Sequence, residues 1–153
     1  MNNTIELKLA ILQELHKIVD NKIDVSKKAI MSAKETRDSD TKSSAGDKYE
    51  TTREMMQIEI DKSEVQLSNA IHLKAELNRI TIPKVYSKVD HGALIYTTQG
   101  NYFLSIGLGK MVVTGEIIYA ISIASPIGSI FLNKKAGDKI LFQGKEIIIT
   151  SIL

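Results

Sequence analysis

The 153-residue sequence contains no cysteine and no tryptophan, and it has only two prolines. The lack of cysteine excludes a disulfide framework and every metal site built from thiolates. The three histidines, His16, His72 and His91, are too far apart to show the spacing of metal ligands. No apolar run approaches the roughly 18 residues of a membrane helix, and the N-terminus lacks the order of a signal peptide. We therefore expect a cytoplasmic protein without a membrane partner.

The common motifs of catalysis are also missing from the sequence. Residues 107–110, Gly-Leu-Gly-Lys, are not a phosphate-binding loop, because the four-residue spacer and the Ser or Thr after the lysine are lacking. There is no G-x-S-x-G motif, and no histidine lies in a recognisable triad context. The formal net charge of +2 is too small to predict nucleic-acid binding by itself. We expect a protein that is not an enzyme and that has no cofactor of its own.

Composition changes sharply near Pro83. Residues 1–80 contain a single glycine, Gly46, and no proline, whereas residues 81–153 hold both prolines and every other glycine. Glycine and proline mark turns, and Ile82 precedes a proline and is therefore disfavoured in a helix. We predict a helical domain over residues 1–80 and a strand-rich domain over residues 81–153.

Apolar residues of the first domain recur at alternating intervals of three and four, which is the a/d spacing of a coiled-coil seam. The pattern occurs on both sides of a polar stretch at residues 37–54. It predicts an antiparallel helical hairpin with its tip at about residues 38–48, and pairing between two chains is the alternative. Acidic residues interleave with five lysines that we expect on a solvated face, with a nucleic-acid-binding stripe as the alternative: Lys8, Lys17, Lys22, Lys27 and Lys28. The first stripe is expected to be wider near the N-terminus, where Ile11, Leu15 and Ile18 add to it. The predicted seams are Ile5, Leu9, Leu12, His16, Val19, Ile23, Ser26 and Ile30 in the first arm, and Met56, Ile60, Ser63, Leu67, Ala70, Lys74 and Leu77 in the second.

The polar tip contains the run Gly46-Asp47-Lys48-Tyr49-Glu50. An Asp followed three residues later by a Glu resembles a capping box, in which both side chains satisfy free N–H groups of the first helical turn. The same spacing places both residues on one helix face, where two exposed carboxylates suit a Mg²⁺ ion that keeps most of its waters. Such a tip would need a partner to supply further ligands. From these residues alone, the capping box is the simpler interpretation.

The second domain shows short alternating runs separated by turn signals. Ser125-Pro126 predicts a helix start, with serine as the N-cap and proline at the first helical position, and the helix is expected to continue to Asn133. Gln143-Gly144 predicts a tight hairpin turn. We expect an α+β fold in which one short helix packs on a small antiparallel sheet. The predicted strands are residues 93–98, 102–108, 111–113, 116–123, 139–142 and 145–152.

Two motifs, one in each domain, resemble those of the Gre-type transcription elongation factors. Residues 121–128, ISIASPIG, and residues 132–138, LNKKAGD, resemble the C-terminal signature of that family. The tip group Gly46-Asp47-x-x-Glu50 resembles the motif on its coiled coil. The resemblance covers most of the chain from about Ala33 onward, and it implies a coiled-coil hairpin followed by an FKBP-like domain.

The resemblance implies a monomer that binds bacterial RNA polymerase and reaches through its secondary channel to the active site. There Asp47 and Glu50 would help to hold a Mg²⁺ ion shared with the polymerase and to orient a water, so that the polymerase cleaves backtracked RNA near its 3′ end. The docking residues are expected where the resemblance is densest: Ser125, Pro126, Ile127 and Gly128. Three tip cations are candidates for contacts with phosphates, and solvated surface charges are the alternative: Lys42, Lys48 and Arg53.

The sequence also departs from the family pattern. Tyr49 and Thr51 replace the serine and the asparagine that flank the family glutamate, and Asn133 stands where the family has glycine. A factor with an altered tip would occupy the channel and regulate the polymerase without promoting cleavage, and this is the main alternative. A proline isomerase or chaperone would need an aromatic-lined pocket, whereas the aromatic residues of this domain are expected within strands. A structural coiled-coil adaptor is the remaining alternative.

Overall fold

The computed structural model describes residues 2–39 and 47–153, without the side chains of Asn2 and Asp47. Two long helices come first, α1 (Asn2–Ser39) and α2 (Asp47–Asn78). No helix within these described ranges is both long enough and apolar enough to cross a membrane. The elements that follow are β1 (Leu94–Thr97), β2 (Gly100–Leu104), β3 (Gly109–Val113), β4 (Glu116–Ile121), α3 (Pro126–Phe131), β5 (Lys139–Phe142) and β6 (Lys145–Ile152).

The chain packs into two compact units. The sheet unit comprises the chain up to Leu15 together with Glu76–Leu153, and the hairpin unit comprises His16–Ala75. The helical hairpin followed by an α+β region, predicted from the sequence, is confirmed. The domain boundary predicted near Pro83 marks the place where helices give way to strands. The two units instead reflect which residues pack together, so they divide the chain at other positions.

The two helices of the hairpin unit run antiparallel. Near the end of α1, Arg37 Nη1 donates to Oε1 of Gln57 in α2 at 2.8 Å. At the other end of the unit, Nζ of Lys74 in α2 lies 2.9 Å from Oδ1 of Asp20 in α1. Because residues late in one helix meet residues early in the other, the two arms pair within one chain.

The buried face of α2 follows the predicted seam. Ile60, Ser63, Ala70 and Leu77 are at most 3% exposed, and these four positions belong to a single heptad pattern. The distance between helix axes depends on the size of the side chains at the contact, so Ser63 and Ala70 allow the two backbones to approach closely. The seam prediction for this arm is confirmed.

The buried face of α1 departs from the prediction near its N-terminus. Val19 and Ser26 are buried as expected, but Ile11 and Leu15 are fully buried while Leu9 is 42% exposed. A straight α-helix drifts by about 20° per heptad relative to a 3.5-residue repeat. In addition, the chain up to Leu15 packs in the sheet unit and not in the hairpin unit. The seam prediction is therefore wrong at Leu9, whereas the burial of Ile11 and Leu15 agrees with the wider apolar stripe expected near the N-terminus.

Lys8 also contradicts its prediction, because it is buried and not on a solvated face. Its residue is only 3% exposed, and its Nζ donates to the main-chain oxygen of Leu153 at 2.9 Å. The aliphatic part of a lysine side chain readily lies along apolar surface while the ammonium finds a polar partner. Here that partner belongs to the same sheet unit.

A polar cluster interrupts the seam of the hairpin unit. Lys74 Nζ lies 2.8 Å from Nδ1 of His16 and 2.9 Å from Oδ1 of Asp20. Burial and the charge of Lys74 lower the pKa of His16, and the charge of Asp20 opposes this effect. An ammonium can donate only to an unprotonated ring nitrogen, so the contact requires a neutral His16.

The six strands form one sheet in the order β3-β4-β2-β1-β6-β5. Neighbouring strands are antiparallel except for β2 and β4, which are parallel. The expectation of a purely antiparallel sheet therefore needs correction at this pair. The reason is that β3 and β4 form a hairpin around Thr114-Gly115, and β4, not β3, takes the place beside β2.

The core of the sheet unit holds α3 against the sheet. Phe131, the last residue of α3, is fully buried in the same apolar cluster as Ile95, Leu104 and Ile149. The rings of Phe131 and Tyr102 lie 5.0 Å apart, centroid to centroid. Each large apolar side chain buried in this way contributes about 1.5–3 kcal/mol. Ile123, in the loop that precedes α3, packs against the same cluster, so the cluster also holds this loop.

The hairpin of β5 and β6 turns where the sequence predicts. Gln143 and Gly144 have φ angles of 51° and 77°, and positive φ at both central residues is the requirement of a type I′ hairpin turn. The bounds of both strands agree with the prediction.

Candidate functional site

The predicted tip extends from the start of α2 into the part of the chain outside the described residues. Lys42 and Gly46 lie there, as does the side chain of Asp47. Glu50 lies in the first turn of α2 and is exposed. No described residue makes a hydrogen bond or an ion pair with its carboxylate. The glutamate of a capping box accepts from an N–H group at the helix start, and Glu50 has no such contact with the described residues.

Asp38, near the end of α1, is a tip carboxylate that the sequence motif does not single out. Arg37 Nε lies 3.0 Å from its Oδ1. This hydrogen bond, together with the charges of Arg37, Arg53 and Lys34, lowers the pKa of Asp38. The adjacent Arg37-Asp38 pair in the last turn of a helix is the sequence signal that could have pointed to it. Because Asp38 is paired within the protein, its carboxylate is less available than that of Glu50.

Two tip cations, Lys48 and Arg53, have different surroundings. Arg53 Nη1 donates to the hydroxyl of Tyr49 at 3.1 Å, four residues earlier in the same helix. Tyr49 stands where the Gre-type motif has serine, and its contact with Arg53 holds the guanidinium along the helix surface. Lys48 is exposed, and no described residue pairs with its ammonium. Lys48 is therefore the freer of the two to meet an anion, and partner contacts by either residue stay a prediction.

The described residues do not form a metal site by themselves. Within them, no group of three or more His, Cys, Asp or Glu side chains could hold a metal ion. One free carboxylate, as on Glu50, suits the partial coordination by which proteins hold Mg²⁺ next to substrate phosphates. A metal ion at the tip would need ligands from residues outside the described ranges or from another molecule. The metal-binding role of Asp47 and Glu50 stays a prediction.

Ser125 fixes the start of α3 in the way that the sequence predicts. Its backbone is extended, with φ −71° and ψ 154°. Its Oγ accepts from the N–H of Gly128 at 3.0 Å and donates to the carbonyl oxygen of Ser122 at 2.6 Å. Pro126 follows in the first turn, where its missing N–H costs no intrahelical hydrogen bond. The predicted N-cap and helix start are confirmed, although α3 ends at Phe131 and does not reach Asn133.

Gly128 is buried inside this turn. A Cβ at this position would overlap the carbonyl oxygen of Ser122 and would lie 2.8 Å from Oγ of Ser125. Ser125 and Gly128 therefore shape the turn from within, Ile127 packs against the core, and Pro126 is exposed. Of the four predicted docking residues, Pro126 offers the most surface to a partner. Docking by this group stays a prediction.

Asn133 preserves the turn after α3, although the Gre-type motif that residues 132–138 resemble has glycine at this place. Its φ angle is 68°, a left-handed conformation that glycine prefers and that asparagine tolerates better than most residues. Its N–H donates to the carbonyl oxygen of Val89 at 2.9 Å. The N–H of Lys135 then donates to Oδ2 of Asp138 at 2.7 Å and closes the next turn. The substitution is therefore compatible with the local backbone.

Comparison with solved structures gives a similarity to one described as "Structure of the transcription factor Gfh1". The sequences are 17% identical, the match covers 90% of this chain and 92% of that chain, and the TM-score is 0.34. No protein-family model and no curated protein sequence matches the chain. Similarity of this degree carries no inference about activity, so a function for this chain rests on its own residues.

Proposed function

We propose that this protein is an accessory factor of bacterial RNA polymerase whose hairpin tip enters the secondary channel and assists cleavage of backtracked RNA. The observation that carries the proposal is the exposed Glu50 carboxylate, which no described residue pairs with, at the start of a 32-residue helix. The resemblance of the tip group and of residues 121–138 to the motifs of Gre-type factors supports it further.

The length and the pairing of the helices suit this role. At about 1.5 Å per residue, the 32 residues of α2 span about 48 Å. Isolated helices are marginally stable in water, whereas α2 buries Ile60, Ser63 and Ala70 within the hairpin unit. A catalytic carboxylate must be held in one defined position. A helix that is paired with a second helix would hold the tip in such a position.

The proposed chemistry belongs to the polymerase, and the tip would add positioning. A metal ion held by the polymerase supplies an activated water and stabilises the charge of the transition state. Glu50, together with Asp47, would orient that water and complete the coordination of the shared Mg²⁺. Lys48 precedes Glu50 by two residues, and its unpaired ammonium would contact a phosphate of the RNA.

Transcript cleavage on a backtracked polymerase tests the proposal. Purified protein is added to elongation complexes of a bacterial polymerase with 3′-labelled RNA, and the release of short labelled fragments is measured. We expect the wild type to accelerate release, and Asp47→Asn and Glu50→Gln each to reduce the acceleration by about a hundredfold. Glu64→Gln is the matched control, because Glu64 is exposed further along the same helix. If the wild type releases no RNA, the cleavage function is wrong.

A second candidate function is a channel-binding regulator that does not promote cleavage. The contact of Tyr49 with Arg53 favours it, because it places a bulky side chain beside Glu50 where the family has serine. Such a regulator would displace a cleavage-stimulating factor from the polymerase without releasing RNA. Asp47→Asn would leave that displacement unchanged. RNA release by the wild type would eliminate this candidate.

A further inference from the structure

A groove of about 420 Å³ lies between the two helices of the hairpin unit. Its volume is in the range of sites for small molecules, about 300–1,000 Å³. On each helix the lining residues are spaced by three or four positions, so they share one helix face. They are Asn21, Lys22, Val25 and Ser26 of α1, and Gln66, Asn69, Ala70 and Leu73 of α2.

The floor of the groove contains a hydroxyl that has no partner. Ser26 is 5% exposed and Ala70 is 3% exposed, so both lie beneath the larger side chains of the walls. None of the described residues hydrogen-bonds to Oγ of Ser26. Among these residues, however, no side-chain oxygen is both fully buried and unpaired. The small exposed part of Ser26 therefore includes Oγ, which is open to the groove and would be satisfied by a polar group bound there.

Three carboxamides surround this floor. Asn21, Gln66 and Asn69 are three of the four Asn and Gln residues in the hairpin unit. The fourth, Gln57, makes two hydrogen bonds within the protein, whereas no described residue hydrogen-bonds to the carboxamides of the other three. A carboxamide carries an acceptor and two donors side by side. Both helices therefore present free donors and acceptors around one groove.

Lys22 brings one positive charge to the groove. Its side chain is exposed and forms no ion pair with the described residues, whereas Lys28 of the same helix pairs with Asp24 at 2.9 Å. None of the described residues that line the groove is acidic. One ammonium suits a single phosphate group, but it is too little charge for a nucleic-acid backbone, whose binding depends on several phosphate contacts.

We propose that this groove binds a free adenine nucleotide with one phosphate group. The adenine ring packs against Val25 and Leu73, and Lys22 contacts the phosphate. The carboxamides bind the edges of the base, because a carboxamide matches the donor and acceptor at adenine N6 and N7 with two hydrogen bonds, whereas the same edge of guanine carries two acceptors. A hydroxyl of the ribose reaches Ser26. The inference does not rest on the function proposed for the tip.

Calorimetric titration of the full chain with AMP at pH 7.5 tests the site. We expect saturable binding of one AMP per chain with a dissociation constant below about 1 mM. IMP has the same ribose and phosphate but an oxygen in place of the amino group, so it should bind at least about tenfold more weakly. Oligoadenylate RNA should bind no more tightly than AMP, because one ammonium lines the groove, and tighter binding of the RNA would contradict a site for a free nucleotide.

Lys22→Gln separates the phosphate contact from the rest of the site. Because Lys22 is exposed, its replacement disturbs little packing. It should weaken AMP binding by about three- to tenfold and leave the affinity for adenosine, which has no phosphate, unchanged. Lys27→Gln is the matched control, since Lys27 is an exposed lysine of α1 that does not line the groove. Equal losses of AMP affinity in the two variants would show attraction by general positive charge and contradict the site.

Ser26→Ala and Asn69→Leu test the floor and the carboxamides. Each should weaken the binding of both AMP and adenosine by about three- to tenfold. Ser63→Ala is the matched control, because Ser63 is a serine of the same unit that is 1% exposed and does not line the groove. Thermal unfolding verifies that each variant is folded. Unchanged AMP affinity in Ser26→Ala and Asn69→Leu, equal affinities for AMP and IMP, or no binding at millimolar AMP would overturn the proposal.

Discussion

Replacement of Gly128 by alanine should destabilise the sheet unit more than any surface change in α3. The added methyl group would overlap the carbonyl oxygen of Ser122 and lie 2.8 Å from Oγ of Ser125. Overpacking of a filled site costs about 1–3 kcal/mol. The methyl group also displaces the Ser125 hydroxyl from the N–H that it caps, which costs about 1 kcal/mol. We expect Gly128→Ala to lower the free energy of unfolding by about 2–4 kcal/mol.

Urea unfolding of the full chain, followed by circular dichroism and by tyrosine fluorescence, measures this loss. Ser125→Ala removes the cap without adding a methyl group, so it should cost only about 1 kcal/mol. Ser129→Ala is the control within the same helix, because Ser129 is exposed and its hydroxyl only donates to the carbonyl oxygen of Pro126. It should change stability by no more than about 0.5 kcal/mol.

The result that refutes this reasoning is a Gly128→Ala protein as stable as the wild type. It would mean that the segment holding Ser122 moves away at little cost. The loop would then be too adaptable to present Pro126 in one defined position, and the docking prediction would lose its structural support. An intermediate loss equal to that of Ser125→Ala would show that only the cap, and not the close packing, is needed.

Three further predictions concern the hairpin unit and the turn after α3. The pKa of His16 in the folded protein is lower than its ordinary value of 6.5. As the pH falls, His16 is therefore protonated in the unfolded chain at a higher pH than in the folded chain. The contribution of His16 to stability should therefore be fully present above pH 6.5 and be lost as the pH falls below it. Because burial lowers the pKa of His16 more than the charge of Lys74 does, Lys74→Met should reduce this dependence without removing it in thermal unfolding at pH 8 and pH 5. Ile60→Ala should cost about 2–5 kcal/mol in urea unfolding, whereas Ile58→Ala, at a residue 68% exposed, should cost less than about 0.5 kcal/mol. Asn133→Gly should be nearly neutral and Asn133→Val should cost about 1–2 kcal/mol, and equal stabilities of these two variants would contradict the left-handed turn.

The parts of the fold that local patterns encode could be predicted from the sequence. The seam of α2 is an example, since Ile60, Ser63 and Ala70 need only a heptad and one partner helix. The turn at Gln143-Gly144 is another, because its backbone conformation depends on two residues.

The parts that depend on distant residues could not be predicted. No local sequence pattern indicates that β4 lies beside β2, because a hairpin can add to a sheet in either order. Lys8 has the local pattern of a solvated residue, and only the proximity of Leu153 and Tyr86 explains its burial. At the tip, the motif indicates Glu50, whereas the pairing of Asp38 requires the geometry of its neighbours.

The contact of Lys8 with Leu153 joins residues that are 145 positions apart. A nascent chain cannot complete the sheet unit until residue 153 has left the ribosome, whereas the contacts of His16–Ala75 are available much earlier. The first turns of α1 must therefore wait, with Ile11 and Leu15 uncovered, while more than half of the polypeptide is still being translated.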